Sequence, residues 1–239
     1  MNIEAFILCF NESETLHLTI KHYQSFCSKI TIFDNFSTDN SREIAEAMGC
    51  EVRLFGVEGQ LNDAEYLKVK NNAWKGSQAD WVIVCDADEI LWHPNLTQSL
   101  FNCKMNALTI VSTDGINMFS DTLPSINWME VKTGVPDKNY SKFICFDPKA
   151  ISEIGYVYGC HESKPTGNVR YSSEIGFNPY LLHYKHVGGA ERIANRHALY
   201  ASRLSAINKR WKLGFQYSEP RAQTIKYFNE QLALAKAIF

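Results

Sequence analysis

The sequence predicts an α/β fold: a mostly parallel sheet flanked by helices, with a C-terminal helical lobe. Three observations predict it. Short apolar runs and amphipathic segments alternate four times in about the first 85 residues, the pattern of a parallel sheet joined by right-handed crossovers. The fourth run, Trp81 to Cys85 (WVIVC), is apolar throughout, as a central strand covered on both faces must be. From Glu191 onward the pattern is helical, in two pieces broken around Gly214 to Pro220.

Ile3 to Phe10 reads as a buried strand that opens at Asn11-Glu12. Ser13 or Asn11 can cap a helix through about Cys27, with Leu16, Ile20 and Tyr23 on one face. Lys29 to Phe33 (KITIF) is a short β-branched strand, followed by the polar loop Asp34 to Asp39. Ser41 to Met48 is helical, with Gly49 as its stop, and Glu51 to Phe55 is a third strand. Asp63 to Lys75 is a helix by the recurrence of Ala64, Leu67, Asn71 and Trp74. After His93-Pro94 the rhythm changes. A short helix (Leu96 to Phe101) leads to a strand at Leu108 to Ser112. Residues 115–180 are rich in Gly, Pro, Asn and aromatics, with short strands near Lys142 to Phe146 and Leu181 to Tyr184.

The 239 residues suit one compact unit, with 45% apolar residues to fill a core. The formal charge of −2 gives no basic signal for nucleic acid. Seven cysteines, an odd number with no CxxC spacing, argue against a zinc ribbon or redox pair and for a reducing, cytoplasmic setting. The N-terminus has no basic leader, and no apolar run is long enough to span a bilayer. Any membrane contact is expected to be peripheral.

In an open parallel sheet, ligands bind outside the carboxyl ends of the strands. Asn11-Glu12, Asp34 and Asp86-Ala87-Asp88 all fall there. The last is the sharpest: two carboxylates one residue apart at a strand end can both reach one hard cation, and oxygen ligands with a diphosphate suit Mg2+ or Mn2+. A bare D-x-D is often no more than a solvated acidic loop; its place after WVIVC favours the metal. For Asp39 turn-forming and capping is the preferred reading, and for Asn11 capping competes evenly with ligand contact.

The segment Lys70-Asn71-x-Ala73, then Ala79-Asp80-Trp-Val-Ile-Val-Cys-Asp86-x-Asp88, resembles the family 2 glycosyltransferase pattern, with 15 positions between Asn71 and Asp86. ILCFNESETL resembles that family's first strand and turn, and KITIFDNFSTDNS its second strand and loop. The resemblance covers the first 90 or so residues. It implies a GT-A-type fold, a nucleotide-diphosphate sugar donor, UDP-linked in the commonest case, and Mn2+ or Mg2+. Residues 1–112 would then be the nucleotide-sugar-binding half, 113–190 the acceptor and metal-completing half, and 191–239 the C-terminal helices. It implies further that Cys9, Phe10, Asn11, Glu12 and Asp34 hold the nucleoside, with Asp34 on the base edge. Lys70 and Asn71 would lie near the nucleotide, Asp86 and Ala87 towards the ribose and metal, and Asp88 on the metal.

The second half carries Gly159-Cys-His161-Glu162 and Leu182-His183-Tyr-Lys185-His186. Segments similar to these recur in bacterial and phage enzymes of that kind. His183 is the candidate third metal ligand, and Lys185 the candidate diphosphate contact. His161 and Glu162 are candidates for the base that deprotonates the acceptor hydroxyl, with Glu153 and Asp147 behind them. Lys142 is a candidate contact to donor or acceptor. Arg192, Arg196 and Arg203 stand at near-helical spacing; contact with phosphate or an anionic acceptor is one reading, and an exposed helix face is the preferred one. His22 and His197 are read as ordinary helix-face residues.

The function expected is transfer of a sugar from a nucleotide-diphosphate sugar to a hydroxyl on a glycan, small molecule or modified nucleobase. Two rivals stand beside it. A nucleotidyltransferase would carry a Gly-rich basic loop after the first strand, where this chain has the acidic FNESE. A non-catalytic nucleotide-sugar-binding module would have no need of an intact D-x-D.

Overall fold

The computed structural model describes all 239 residues. In chain order the first half comprises β1 (Ile3–Cys9), α1 (Leu16–Gln24), β2 (Lys29–Asp34), α2 (Ser41–Ala47), β3 (Glu51–Leu54), α3 (Asp63–Asn72), β4 (Trp81–Asp86), β5 (Glu89–Trp92) and α4 (Leu96–Met105). Then come β6 (Ile110–Val111), β7 (Asp114–Ser120), β8 (Thr133–Pro136), β9 (Cys145–Phe146), β10 (Ile151–Glu153), β11 (Thr166–Gly167) and β12 (Tyr180–Val187). The chain continues through α5 (Ala190–Arg203), α6 (Ala206–Trp211), α7 (Arg221–Leu234) and β13 (Lys236–Ala237).

The main sheet has the order β3-β2-β1-β4-β9-β6. Its first four strands are mutually parallel, and β9 runs antiparallel to both its neighbours. Strands β1 to β3 build outward in one direction, and β4 returns to the other side of β1. That reversal opens a crevice at the carboxyl ends of β1 and β4, where ligands bind in such sheets. The alternation of β1 explains its central place: Ile3, Ala5, Ile7 and Cys9 enter one apolar cluster, and Phe6 and Leu8 enter the other. The fold is the expected mostly parallel α/β sheet with a C-terminal helical lobe.

A second sheet, β13-β8-β7-β12-β5, was not legible in advance. Strand β5 follows β4 after the two-residue turn Ala87-Asp88, so the two sheets meet at the D-x-D segment. It pairs with β12, about ninety residues away, a partner that local pattern cannot name. The larger apolar cluster runs through both sheets, from Ile3 to Val187. Helix α1 stops at Gln24 instead of about Cys27, and α4 runs on to Met105 instead of stopping at Phe101. Strand β12 is longer than expected, because β5 and β7 flank it on both sides. The C-terminal lobe has three helices and a 3-10 turn at Phe215–Ser218, not two pieces.

Helix α1 buttresses the turn between the sheets. Thr19 Oγ1 donates to the Ala87 carbonyl at 2.6 Å, and Trp128 Nε1 donates to Thr19 at 2.9 Å. Tyr23 donates to the Glu89 carbonyl at 2.9 Å. Gly115 on β7 lets Tyr140 approach the site: a Cβ there would fall 2.3 Å from the Tyr140 carbonyl carbon.

His22, read as an ordinary helix residue, is substantially buried, with its ring Nε2 3.0 Å from the Leu91 carbonyl. Burial lowers its pKa to about 4. The unfolded chain therefore takes up a proton below about pH 6.5 that the folded chain refuses. His22 stabilisation is present above pH 6.5 and is lost as pH falls towards 4, with a slope of at most about 1.4 kcal/mol per pH unit. Thermal unfolding across that window should fall more steeply for the wild type than for His22→Gln; parallel curves would show that the ring titrates normally.

Candidate active site

A cleft of about 210 Å³ opens at the carboxyl ends of β1 and β4. Its floor is the D-x-D turn. Asp86 Oδ2 accepts a bond from Lys70 Nζ at 2.7 Å. Lys70 is buried on α3; burial alone would lower its pKa, but the Asp86 carboxylate holds the ammonium charged well above its ordinary value. Asp88 projects from the turn with its side chain 15% exposed. Burial pushes the Asp88 carboxyl up, against the pull of Arg196 and Lys185.

Beneath the turn lies a fully buried ion pair. Lys142 Nζ donates to Glu89 Oε1 at 2.5 Å, with side-chain exposures of 5% and 1%. Burial alone would raise the Glu89 pKa, but Lys142 and Lys70 hold it below the ordinary carboxylate range. The other oxygen of Glu89 accepts the Asp86 backbone N–H at 3.0 Å. The pair thus fixes the backbone from which both aspartates project. Lys142, expected to contact donor or acceptor, bonds Glu89 and also lines the cleft.

His183 sits on β12 with Glu89 opposite on β5 and Asn117 opposite on β7. Asn117 Nδ2 donates to Asp137 Oδ2 at 3.0 Å, which turns its Oδ1 towards His183 Nδ1, also at 3.0 Å. His183 must therefore carry its proton on Nδ1, leaving the Nε2 lone pair free. That lone pair faces Asp88 Oδ1 at 3.6 Å. Burial keeps the ring neutral, its pKa well below 6.5. Two lone-pair atoms facing each other repel unless a cation or an O–H donor lies between them. With metal–ligand bonds of about 2.1 Å, one ion can touch both. No three His, Cys, Asp or Glu side chains converge as a ready-made metal cluster, because Asp86 is turned to Lys70. The donor set therefore fits a cation that shares two protein ligands with phosphate oxygens and water.

The walls are cationic and aromatic. Lys185 lines the cleft with its ammonium 5.2 Å from the Tyr217 ring centre, and burial lowers its pKa to about 8 against the Asp88 carboxylate. Tyr140, its ring centre 4.4 Å from that of His183 and tilted to it, and Tyr200 complete the wall. His161 also lines it; its Nδ1 lies 2.7 Å from the Asn139 carbonyl and so carries the proton, leaving Nε2 free. Burial and nearby Lys142 lower its pKa, so the ring is neutral at pH 7.

Of the residues singled out from sequence, Cys9, Phe10, Glu12, Lys70, Asp86, Ala87, Asp88, Lys142, His161, His183, Lys185 and Arg196 line this one cleft. Asn11, Asp34, Asn71 and Glu162 do not. Asn11 bonds Thr38 through both ends of its amide. Asn71 brackets the Tyr156 backbone, donating to its carbonyl and accepting from its N–H. Asp34 is fully buried; Oδ1 accepts the Ser37 N–H at 2.8 Å and Oδ2 has no partner. Asp39 does act locally, accepting from Ser13 and Ser41 N–H groups. Glu153 and Asp147 are drawn off to Lys75 and Lys104.

The expectation for the α5 arginines is corrected. Arg196 and Arg203 are not on an exposed face. Arg196 bonds Glu12 through both guanidinium nitrogens, one at 2.8 Å. Arg203 stacks 3.2 Å from the Phe10 ring centre and donates to the Asn35 side chain at 2.7 Å. Arg192 bonds Glu14 at 2.8 Å. Helix α5 is thus latched across the loops that leave β1 and β2. The partners are some 180 residues apart in sequence, so spacing could not reveal them. Glu89 and Asn117 were also missed; Glu89 carried one signal, a third acid directly after D-x-D.

Residues 5–118 match the family model described as Glycosyl transferase family 2. The likeness to that family therefore lies in the first half of the chain. Uncharacterized glycosyltransferases of Rickettsia conorii and Rickettsia prowazekii are 35% and 33% identical over 92 residues, 37% of this chain. The match covers 29% and 28% of those proteins, so the chain spans less than a third of the relatives it resembles. Glucosyl-3-phosphoglycerate synthase from Mycobacterium tuberculosis, crystallised with Mn2+ and UDP, is 20% identical, with a TM-score of 0.36 over 48% of this chain and 44% of that one.

The buried pair gives a direct stability test. Glu89→Gln or Lys142→Met should each cost about 3–5 kcal/mol, because each strands a buried charge. The double variant should recover much of that loss in a denaturant double-mutant cycle. Additive losses would show that the two groups act separately.

Proposed function

We propose that the protein is a metal-dependent glycosyltransferase that moves a sugar from a nucleotide-diphosphate sugar to a hydroxyl acceptor. The observation that carries this reading is the Asp88–His183 pair, with the Nε2 lone pair held towards the carboxylate inside a cleft walled by Lys185. The matching family segment supports it, and UDP is the first donor nucleotide to try.

Asp88 and His183 would hold Mn2+ or Mg2+, which when bound neutralises a diphosphate as a Lewis acid. Asp86, fixed by Lys70, is left to accept from the ribose. Lys185 adds a point charge for the phosphate that departs. The unpartnered Oδ2 of Asp34 suits a base N–H, but Asp34 is fully buried outside the cleft and Arg203 covers the Phe10 ring, so a nucleobase would reach that oxygen only after the guanidinium moves. His161 Nε2 would take the acceptor's hydroxyl proton as that oxygen bonds to the anomeric carbon and the bond to the diphosphate oxygen breaks. Glu162, outside the cleft, is the weaker candidate for that step.

Incubation with nucleotide-sugars and Mn2+ should release the nucleoside diphosphate. Release should stop on chelation and fall by at least about a hundredfold in Asp88→Asn and in His183→Ala. Undiminished release in those variants would overturn the metal assignment. Asn117→Ala frees the His183 ring and should weaken Mn2+ binding by about 10–100-fold in a titration with UDP present; unchanged affinity would mean that Asn117 does not orient His183.

A further inference from the structure

We propose that the α6 segment is a docking surface for an anionic bilayer. Residues 206–217 hold Lys209, Arg210 and Lys212 and no Asp or Glu. All three cations are exposed. Elsewhere in the lobe, Arg192, Arg196 and Arg221 are paired with Glu14, Glu12 and Glu191. These three have no carboxylate partner.

Among the cations stand the most exposed aromatics of the lobe: Trp211 at 66% and Phe215 at 67%, with Ile207 at 42%. Ile207, Arg210 and Trp211 share a helix face by their three- and four-residue steps. The Arg210 guanidinium lies 5.8 Å from the Trp211 ring centre.

Their exposure is built in, not a frayed end. Asn208, fully buried on the inner side of the same helix, accepts the Asp63 N–H and the Ser205 hydroxyl at 3.0 Å. Its carbonyl accepts the Leu213 N–H at 2.9 Å. Lys212 and Gly214, both at positive φ, turn the chain between Trp211 and Phe215. The protein thus holds two large aromatic side chains in water on a rigid support, ringed by cations.

That combination matches the headgroup layer of an anionic membrane. Aromatic rings settle at the interface, and lysine and arginine gain from the negative surface potential. No helix is long and apolar enough to cross a membrane, so the contact would be peripheral. A second copy fits worse, since a two-fold contact through this patch would set the three cations against their own copies. Gly214, Gln216 and Tyr217 of the same segment line the cleft. Docking therefore brings the cleft mouth to the headgroups, where a lipid-borne hydroxyl acceptor would be within reach. That last consequence rests on the glycosyl-transfer reading; the docking does not.

Binding to vesicles is measured without nucleotide, by flotation and by Trp fluorescence, and UDP binding is measured separately in solution. Either reading can then fail alone. The protein should bind phosphatidylcholine vesicles containing phosphatidylglycerol, bind far less to phosphatidylcholine alone, and be released by high salt. Trp211→Ala with Phe215→Ala should weaken binding at least about tenfold. Each of Lys209→Gln, Arg210→Gln and Lys212→Gln should weaken it about fivefold. Circular dichroism and thermal unfolding should match the wild type in all of them, which shows that they fold. Absence of vesicle binding, binding insensitive to these substitutions, or a dimer in light scattering that Trp211→Ala disperses would each overturn the proposal.

Discussion

The buried Glu89–Lys142 pair is the contact on which the site depends. It lies where the parallel sheet ends and the second sheet begins, and it holds the turn that joins them. A buried pair of this kind adds little net stability but is costly to break. Here it does something packing alone would not. One oxygen of Glu89 takes the Lys142 charge, and the other takes the Asp86 N–H. The aspartates are therefore displayed from a backbone fixed by charge, while α1 closes the turn from the opposite side through Thr19 and Tyr23.

A second set of contacts acts from a distance. Arg196 and Arg203 of α5 reach Glu12 and Asn35, at the ends of β1 and β2. The C-terminal lobe thereby forms one wall of the cleft and covers Phe10. A base stacking on the face of Phe10 that Arg203 covers would have to displace that guanidinium. The lobe is both part of the cleft and a restraint on it, and the exposed α6 segment lies at its rim.

Most of the first half was legible in the sequence, for a physical reason. Parallel strands buried on both faces must be apolar, and loops at their carboxyl ends must carry the polar chemistry. Trp81 to Cys85 followed by Asp86 shows both constraints in one stretch. The site was legible where it follows a strand end and illegible where it depends on pairing between distant strands. His183 was a candidate by the family resemblance and its His- and Lys-rich neighbourhood, but its orientation comes from Asn117, on a strand with no helical or alternating signature. Asn71 illustrates the opposite error. Its position matches a family pattern, yet its amide is spent on the Tyr156 backbone. The arginines of α5 were misread because helical spacing shows which residues share a face, not what that face meets.

The proposed function stands on one divalent cation shared by Asp88 and His183 Nε2. The most direct measurement is anomalous diffraction at the manganese edge from crystals of the protein soaked with Mn2+ and UDP. One manganese peak is expected within bonding distance of both the Asp88 carboxylate and His183 Nε2, with Asn117 still bonded to Nδ1. A peak held by Asp86 alone, or a His183 ring turned away from the ion, would contradict it.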